Sequence, residues 1–191
     1  MVRGFAIVHE RIPMPGVMIL LAVVVFVLSL QACAPTSHGL DGHWKLVAEQ
    51  SSSIDPWRSV VLDISRSPDS ISIRKTYSAG SYDRRVDLMV VNTKGIEQVV
   101  PVPPGRWLGQ VSMGVYYGPG ATRTVKARWS ENGELIMEIR ETVQTAQGES
   151  LIESQQTFAI QPDGTLKIHE ERSTRSSVSM NWIFTHERME G

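Results

Sequence analysis

Residues 134–143 read ELIMEIRETV, and their alternation decides the fold. Counting by twos, Leu135, Met137, Ile139 and Val143 share one face with Glu141. The other face carries Glu134, Glu138, Arg140 and Thr142, with Ile136 as its one apolar member. Alternation at period two marks a strand that is buried on one side and wet on the other. The same pattern recurs outward along the chain. Val178, Met180, Trp182 and Phe184 share a face in 177–185. Val111, Met113, Val115 and Tyr117 do so in 110–117, and Ile71, Ile73, Lys75 and Tyr77 in 70–77. No window of ten or more residues after Asp41 holds the helical period of 3.6.

Turn signals punctuate these runs: Ser67-Pro68-Asp69, Ser78-Ala79-Gly80, Asn92-Thr93-Lys94-Gly95, Glu131-Asn132-Gly133, Gln147-Gly148 and Pro162-Asp163-Gly164. Strands are therefore predicted over 42–48, 58–64, 70–77, 82–91, 95–102, 109–117, 122–130, 134–143, 149–160, 164–173 and 177–186. Short connections make sequence neighbours pair antiparallel. The expected fold class is all-β, an antiparallel up-and-down meander of about 8–11 strands. A sheet of that width, with no helix to cover its apolar face, curls into a barrel and so removes its edges. A barrel that spans a membrane instead turns its apolar face outward between two aromatic girdles. The aromatic residues after Cys33 are too few for that.

The chain has 191 residues, of which 41% are hydrophobic and 20% charged, the composition of a folded domain and not of a disordered one. A net charge of −1 gives no basic footprint for nucleic acid. A single cysteine, Cys33, excludes an internal disulfide framework and a zinc–thiolate cage.

Before the strands lies VMILLAVVVFVLSL at 17–30, preceded by Arg3 and Arg11. The run is short for a transmembrane helix, which needs about 20 residues, and suits the core of a signal peptide. It ends Leu30-Gln31-Ala32-Cys33, which resembles the lipobox of bacterial lipoproteins. That resemblance implies a signal peptide over 1–32, a diacylglyceryl group on the Cys33 thiol, and cleavage before Cys33. Residues 33–40 then form a lipidated tether and 41–191 the barrel domain. Ala34 follows the cysteine, where aspartate is the usual inner-membrane retention signal. The implied location is the bacterial envelope, on the outer membrane facing the periplasm if the cell has two membranes. The membrane is then a partner through the anchor. A cleaved secretory signal with an incidental cysteine is the plainer reading.

Gly42-His43-Trp44 opens the first predicted strand and Arg188 follows the last. This resembles the lipocalin or calycin superfamily, in which a Gly-x-Trp starts strand one and an arginine packs over that tryptophan. Residues 121–188 are also similar to uncharacterised secreted bacterial lipocalin-like proteins, through Trp129, Glu134-Leu135-Ile136, Phe158-Ala159-Ile160 and Pro162-Asp163-Gly164-Thr165-Leu166. The chain departs from standard lipocalins in lacking a Thr-Asp-Tyr second motif, a disulfide and a helix after the last strand. The resemblance implies a lipocalin-like barrel.

Several polar residues fall in the apolar, inward register: Lys75, Arg84, Glu141, Ser154, Gln156 and Glu170. An inward charge is costly unless paired or wet. One reading is a ligand cavity in which these residues fix a polar head. The other is barrel rims, where alternation stops mattering. Arg74, Glu138, Arg140, Lys167 and Glu171 take the outer register, a solvated face without a large apolar patch. Of the histidines, His38 lies in the tether, His43 and His169 on the wet register and His186 at the chain's end, so no metal triad is implied. No cofactor motif and no nucleophile elbow is present, and no catalytic residue is assigned. The leading functional reading is a lipid-anchored protein that binds a small apolar or amphipathic molecule, or a lipid, inside its barrel. The alternatives are a packed barrel that serves as a protein-interaction module, and an enzyme using the cavity. Interior volume discriminates between the first two, with about 300 Å³ or more favouring a ligand.

Overall fold

The structure, a computed structural model, describes residues 39–80, 83–106, 115–174 and 176–187. The strands are β1 (Gly42–Leu46), β2 (Ser59–Arg66), β3 (Ser70–Ser78), β4 (Arg84–Asn92), β5 (Lys94–Pro101), β6 (Gly105–Arg106), β7 (Tyr116–Tyr117), β8 (Thr122–Trp129), β9 (Leu135–Thr145), β10 (Gly148–Ile160), β11 (Leu166–Ser173) and β12 (Ser177–His186). Among the described residues there is no α-helix, and one short 3-10 turn, Ala48–Gln50, follows β1. The leader, Cys33 and the tether as far as His38 lie outside the described residues. So does most of the strand expected over 109–117, of which Tyr116 and Tyr117 form β7.

Ten strands make a nearly closed antiparallel barrel in the order β4-β3-β2-β1-β12-β11-β10-β9-β8-β5. The meander expected from the turn signals is present in β1–β4 and again in β8–β12. The first and last strands join through Trp44↔His186 and Leu46↔Phe184. Between β5 and β8 the chain makes an excursion that carries β6 and β7, and Tyr116 pairs there with Gln144 of β9.

The barrel does not close by backbone hydrogen bonds everywhere. Strands β4 and β5 follow one another through a tight turn, yet among the described residues no ladder joins them. Side chains take the ladder's place. The Asn92 N–H donates to Gln98 Oε1 at 2.9 Å, and Gln98 Nε2 donates to the Asn92 carbonyl at 3.3 Å. Further along the seam, Asp87 of β4 meets Arg123 of β8.

The inward register fills the interior as the alternation predicts. Leu135, Met137, Ile139 and Val143 are buried, as are Ile71, Ile73, Met180 and Phe184. Val178 departs from this pattern and is exposed, because β12 has left the core at that end. One end of the barrel is apolar and plugged. There Trp44 Nε1 donates to the Leu40 carbonyl at 3.0 Å, and His186 sets its ring edge-on to Trp44 at 5.0 Å. Gly42 is required at this contact. A Cβ on it would sit 2.5 Å from His186 Nε2, and its φ of +143° is one that residues with a side chain rarely adopt. The expected cover for Trp44, Arg188, lies outside the described residues. Among the described residues it is His186 that packs on the tryptophan.

The face of β4 is a correction. Arg84 was expected in the inward register, but it is exposed, with Val86, Leu88 and Val90 on the same outer face. Both faces of this strand carry apolar residues, so alternation alone does not choose between them. The β3 pairing chooses: Ile73↔Met89 and Lys75↔Asp87 bring inward residues of β3 opposite Met89 and Asp87. The outer surface is accordingly not uniformly charged. Val86, Leu88 and Val90 of β4, with Ile96 and Val99 of β5, stand exposed on either side of the seam.

Candidate functional site

The polar residues of the inward register gather at the end of the barrel opposite Trp44. Antiparallel pairing explains the clustering. The C-terminal halves of β3, β9 and β11 and the N-terminal halves of β4, β8 and β10 all reach the same end. Lys75, Glu141 and Glu170, past the middle of their strands, therefore lie at the same end as Asp87 and Arg123, early in theirs, and Gln156, just past the middle of β10, stands opposite Glu170.

Lys75 of β3 reaches across the interior and donates to Gln156 Oε1 on β10 at 3.0 Å. The amide then donates from Nε2 to Glu170 Oε2 on β11, also at 3.0 Å. Glu170 Oε1 accepts from Arg172 Nε and Nη2, at 2.9 and 2.6 Å. A second buried pair lies at the seam, where Arg123 Nη1 and Nη2 donate to the two Asp87 oxygens at 2.9 and 2.6 Å. Glu141 Oε2 accepts from the Tyr117 hydroxyl at 2.8 Å. Fork-to-fork pairs and satisfied amides are the arrangement that makes buried charge tolerable.

The electrostatics follow from burial. Lys75 is held below its ordinary range, first because burial disfavours the ammonium, although Glu170 and Asp87 oppose this. Burial also acts against the Arg123 charge, but the hydrogen bonds and charge of Asp87 outweigh it and its pKa is raised. The phenols of Tyr77 and Tyr117 are pushed well up, chiefly by burial, with Asp87 and Glu141 respectively adding to it.

All of these groups but Tyr117 form the polar wall of a cavity of about 70 Å³. Its apolar wall includes Leu62, Met89, Ile168 and Phe184. Ser53, Ile54 and Trp57, from the segment after β1, line its outer margin, and Trp57 packs on Tyr77 at 5.5 Å. The volume is well under the roughly 300 Å³ of a drug-sized pocket but holds several waters or a small molecule.

No protein-family model matches this chain, and no curated protein matches it in sequence. The site is therefore read from its own chemistry. Of the six residues expected to face a ligand, five (Lys75, Glu141, Ser154, Gln156 and Glu170) line this one cavity, and Arg84 does not. Lys75, Gln156 and Glu170 are buried within a single hydrogen-bonded chain, which is more than strand-end rims provide. The sequence reading did not single out Asp87, Arg123 or Arg172. Each shares a register with apolar neighbours: Asp87 with Met89, Arg123 with Val125, and Arg172 with Ile168. Completing those registers was the available signal. Among the described residues no three His, Cys, Asp or Glu side chains converge to hold a metal.

Proposed function

We propose that this is a lipid-anchored bacterial envelope protein whose lipocalin-like barrel binds a small amphipathic molecule at its polar end. The observation that carries the reading is the cavity itself, one wall apolar and the other a fixed array of charged and amide groups. Its volume narrows the ligand: about 70 Å³ takes a molecule of a few heavy atoms and not the body of a lipid. The anchor rests on Leu30-Gln31-Ala32-Cys33 and the apolar run before it. Two or three acyl chains hold a protein on a bilayer far more firmly than one.

Native mass spectrometry of the full chain, purified from its own membrane, tests the ligand. A bound small mass is expected in the wild type and in Arg140→Ala, which alters the outer face. It is expected to vanish in Ser154→Phe, which fills the cavity. A bare mass in all three proteins counts against the reading.

A packed interaction module is the second reading. The exposed apolar strip of Val86, Leu88, Val90, Ile96 and Val99 favours it, together with the small interior. Crosslinking in cells that is lost on Leu88→Asp but unaffected by Ser154→Phe would support this module over a ligand carrier.

A further inference from the structure

One side of the barrel's outer surface is both apolar and basic. Val86, Leu88 and Val90 of β4 stand exposed with Ile96 and Val99 of β5, Val99 at 71%. A contiguous apolar strip on an outer face marks a place where another surface docks. The outer register of β3, β4, β5 and β8 also carries Arg74, Arg84, Lys126 and Arg128, against one carboxylate, Glu97. The other six barrel strands reverse the balance. Their outer register sets Lys45, Arg140 and Lys167 against Asp63, Glu138, Glu149, Glu153 and Glu171. Near the strip, Lys126 pairs with Glu138 and Arg140 with Glu97, each at 3.9 Å. At the strand ends Lys94 is held by Asp69 and Arg85 by Asp83. Among the described residues, Arg74, Arg84 and Arg128 are exposed with no carboxylate partner. Arg74 stands directly opposite Leu88 in the ladder.

The chain enters the barrel beside this strip. Gly39, the first described residue, lies against the Arg66 guanidinium. Arg66 Nε donates to Asp41 Oδ2 at 2.6 Å, and the guanidinium covers the Trp129 ring of β8 at 5.6 Å. Along the ladders Arg66 stands opposite Ile71, and Ile71 opposite Val91, the neighbour of Val90. Arg128, next to Trp129, stands opposite Lys94 at the start of β5. Gly39 therefore sits at the end of the barrel where Val90 and Ile96 begin the strip. Cys33 precedes it by six residues, which span about 20 Å at most.

Resting on the anchor reading above, we infer that the β4–β5 strip is the face the barrel lays on the bilayer, and that this face selects anionic phospholipid. An acyl chain on Cys33 holds the Gly39 corner within a short tether of the membrane, and the strip starts at that corner. Its apolar side chains enter the boundary between headgroups and acyl chains. Arg74, Arg84 and Arg128 reach the lipid phosphates around it. Apolar burial and attraction to anionic lipid are the two contributions that hold a protein in the interface plane. A protein partner would also cover the strip. It would have to reach a flank that the tether keeps at the membrane, so the bilayer is the occupant that the exit of the chain favours.

The full chain, purified from its own membrane, is reconstituted into vesicles of phosphatidylethanolamine with phosphatidylglycerol, and separately into phosphatidylcholine. The anchor consumes the Cys33 thiol, so one introduced cysteine carries a fluorescent dye. Val90→Cys places the dye on the strip, and Thr185→Cys places it at the same end of the barrel on β12, on the outer face away from the strip. Ile96→Cys repeats the measurement from β5. Flotation of the vesicles reads the anchor, and quenching by a phospholipid spin-labelled near its headgroup reads the face. The strip dyes are expected to be quenched at least twofold more than the Thr185 dye in the anionic vesicles. That contrast should shrink in phosphatidylcholine and in the triple variant Arg74→Gln, Arg84→Gln, Arg128→Gln. Equal quenching at Val90, Ile96 and Thr185 in a chain that floats would overturn the inference and leave the anchor standing. A chain that does not float would overturn the anchor reading and the inference with it. Equal contrast in both kinds of vesicle would overturn the anionic preference. A Val90 dye shielded in detergent, in a chain of dimer mass, would assign the strip to a second copy. A dye shielded in native envelopes but unquenched in vesicles would assign it to a protein partner; either result overturns the bilayer.

Discussion

Arg123 on β8 and Asp87 on β4 face each other near the seam where, among the described residues, no backbone ladder joins β4 to β5, and two hydrogen bonds of 2.6 and 2.9 Å link them. A two-pronged, nearly dry ion pair thus does at this point what N–H to C=O bonds do elsewhere. Its cost is desolvation of both charges. Its benefit is geometric, because planar guanidinium and planar carboxylate fix the approach of the two strands.

Removing one partner should be far worse than removing both. Asp87→Asn strands the Arg123 charge in the interior and is expected to cost about 3–5 kcal/mol. The double variant Asp87→Leu with Arg123→Met should recover most of that loss. Chemical denaturation of the three proteins checks it, and a double variant no more stable than Asp87→Asn would show that the loss comes from the missing contact and not from a stranded charge.

At the plugged end, Trp44 is expected to be the larger single contributor. Trp44→Ala removes a fully buried indole and should cost about 3–5 kcal/mol. Gly42→Ala should also destabilise, through the clash with His186 and through its positive φ. Adding His186→Ala relieves the first cause and not the second, so partial recovery is expected. Full recovery would mean that backbone strain at Gly42 is negligible.

Alkaline pH should act on the interior in two directions. Burial holds the Lys75 pKa below 10.5 in the folded chain. Between the folded and unfolded values the unfolded chain binds the extra proton, so stability rises with pH across that interval. Tyr77 and Tyr117 are raised above 10.0. Above that pH the unfolded chain loses phenolic protons that the folded chain keeps, so stability falls. Lys75→Met should remove the rise, and Tyr77→Phe should reduce the fall. Unfolding midpoints measured from neutral pH to pH 11 read both.

Lipidation is the prediction that the leader makes. Cells fed a radioactive fatty acid should label the wild-type chain and not Cys33→Ser, since Cys33 is the sole thiol. Label persisting in that variant would sink the anchor.

Much of the barrel was legible because β9 and β3 each carry a clean two-residue alternation, with Leu135, Met137 and Ile139 or Ile71 and Ile73 inward. The same rule failed on β4. There Val86, Leu88 and Val90 on one face compete with Met89 and Val91 on the other, and a strand with two apolar faces does not announce which is inside. The candidate site was half legible for a related reason. Lys75, Gln156 and Glu170 interrupt strongly apolar registers and so stand out. Asp87 sits in the register that was misassigned, and its partner Arg123 opens β8, where alternation has only begun.

By itself, the sequence determined the all-β class, the antiparallel meander, most of the inward residues and the expectation of a lipidated leader. These follow from period, turn chemistry and a local motif, each written within a few neighbouring residues. Only the tertiary structure decided that β4 and β5 leave a seam, that Arg123 and Asp87 close it, and that Lys75, Gln156 and Glu170 form one hydrogen-bonded chain. Those contacts join residues 36, 81 and 14 positions apart. Curvature brings them together when the sheet closes on itself, and no local periodicity encodes which inward side chains then meet across the interior.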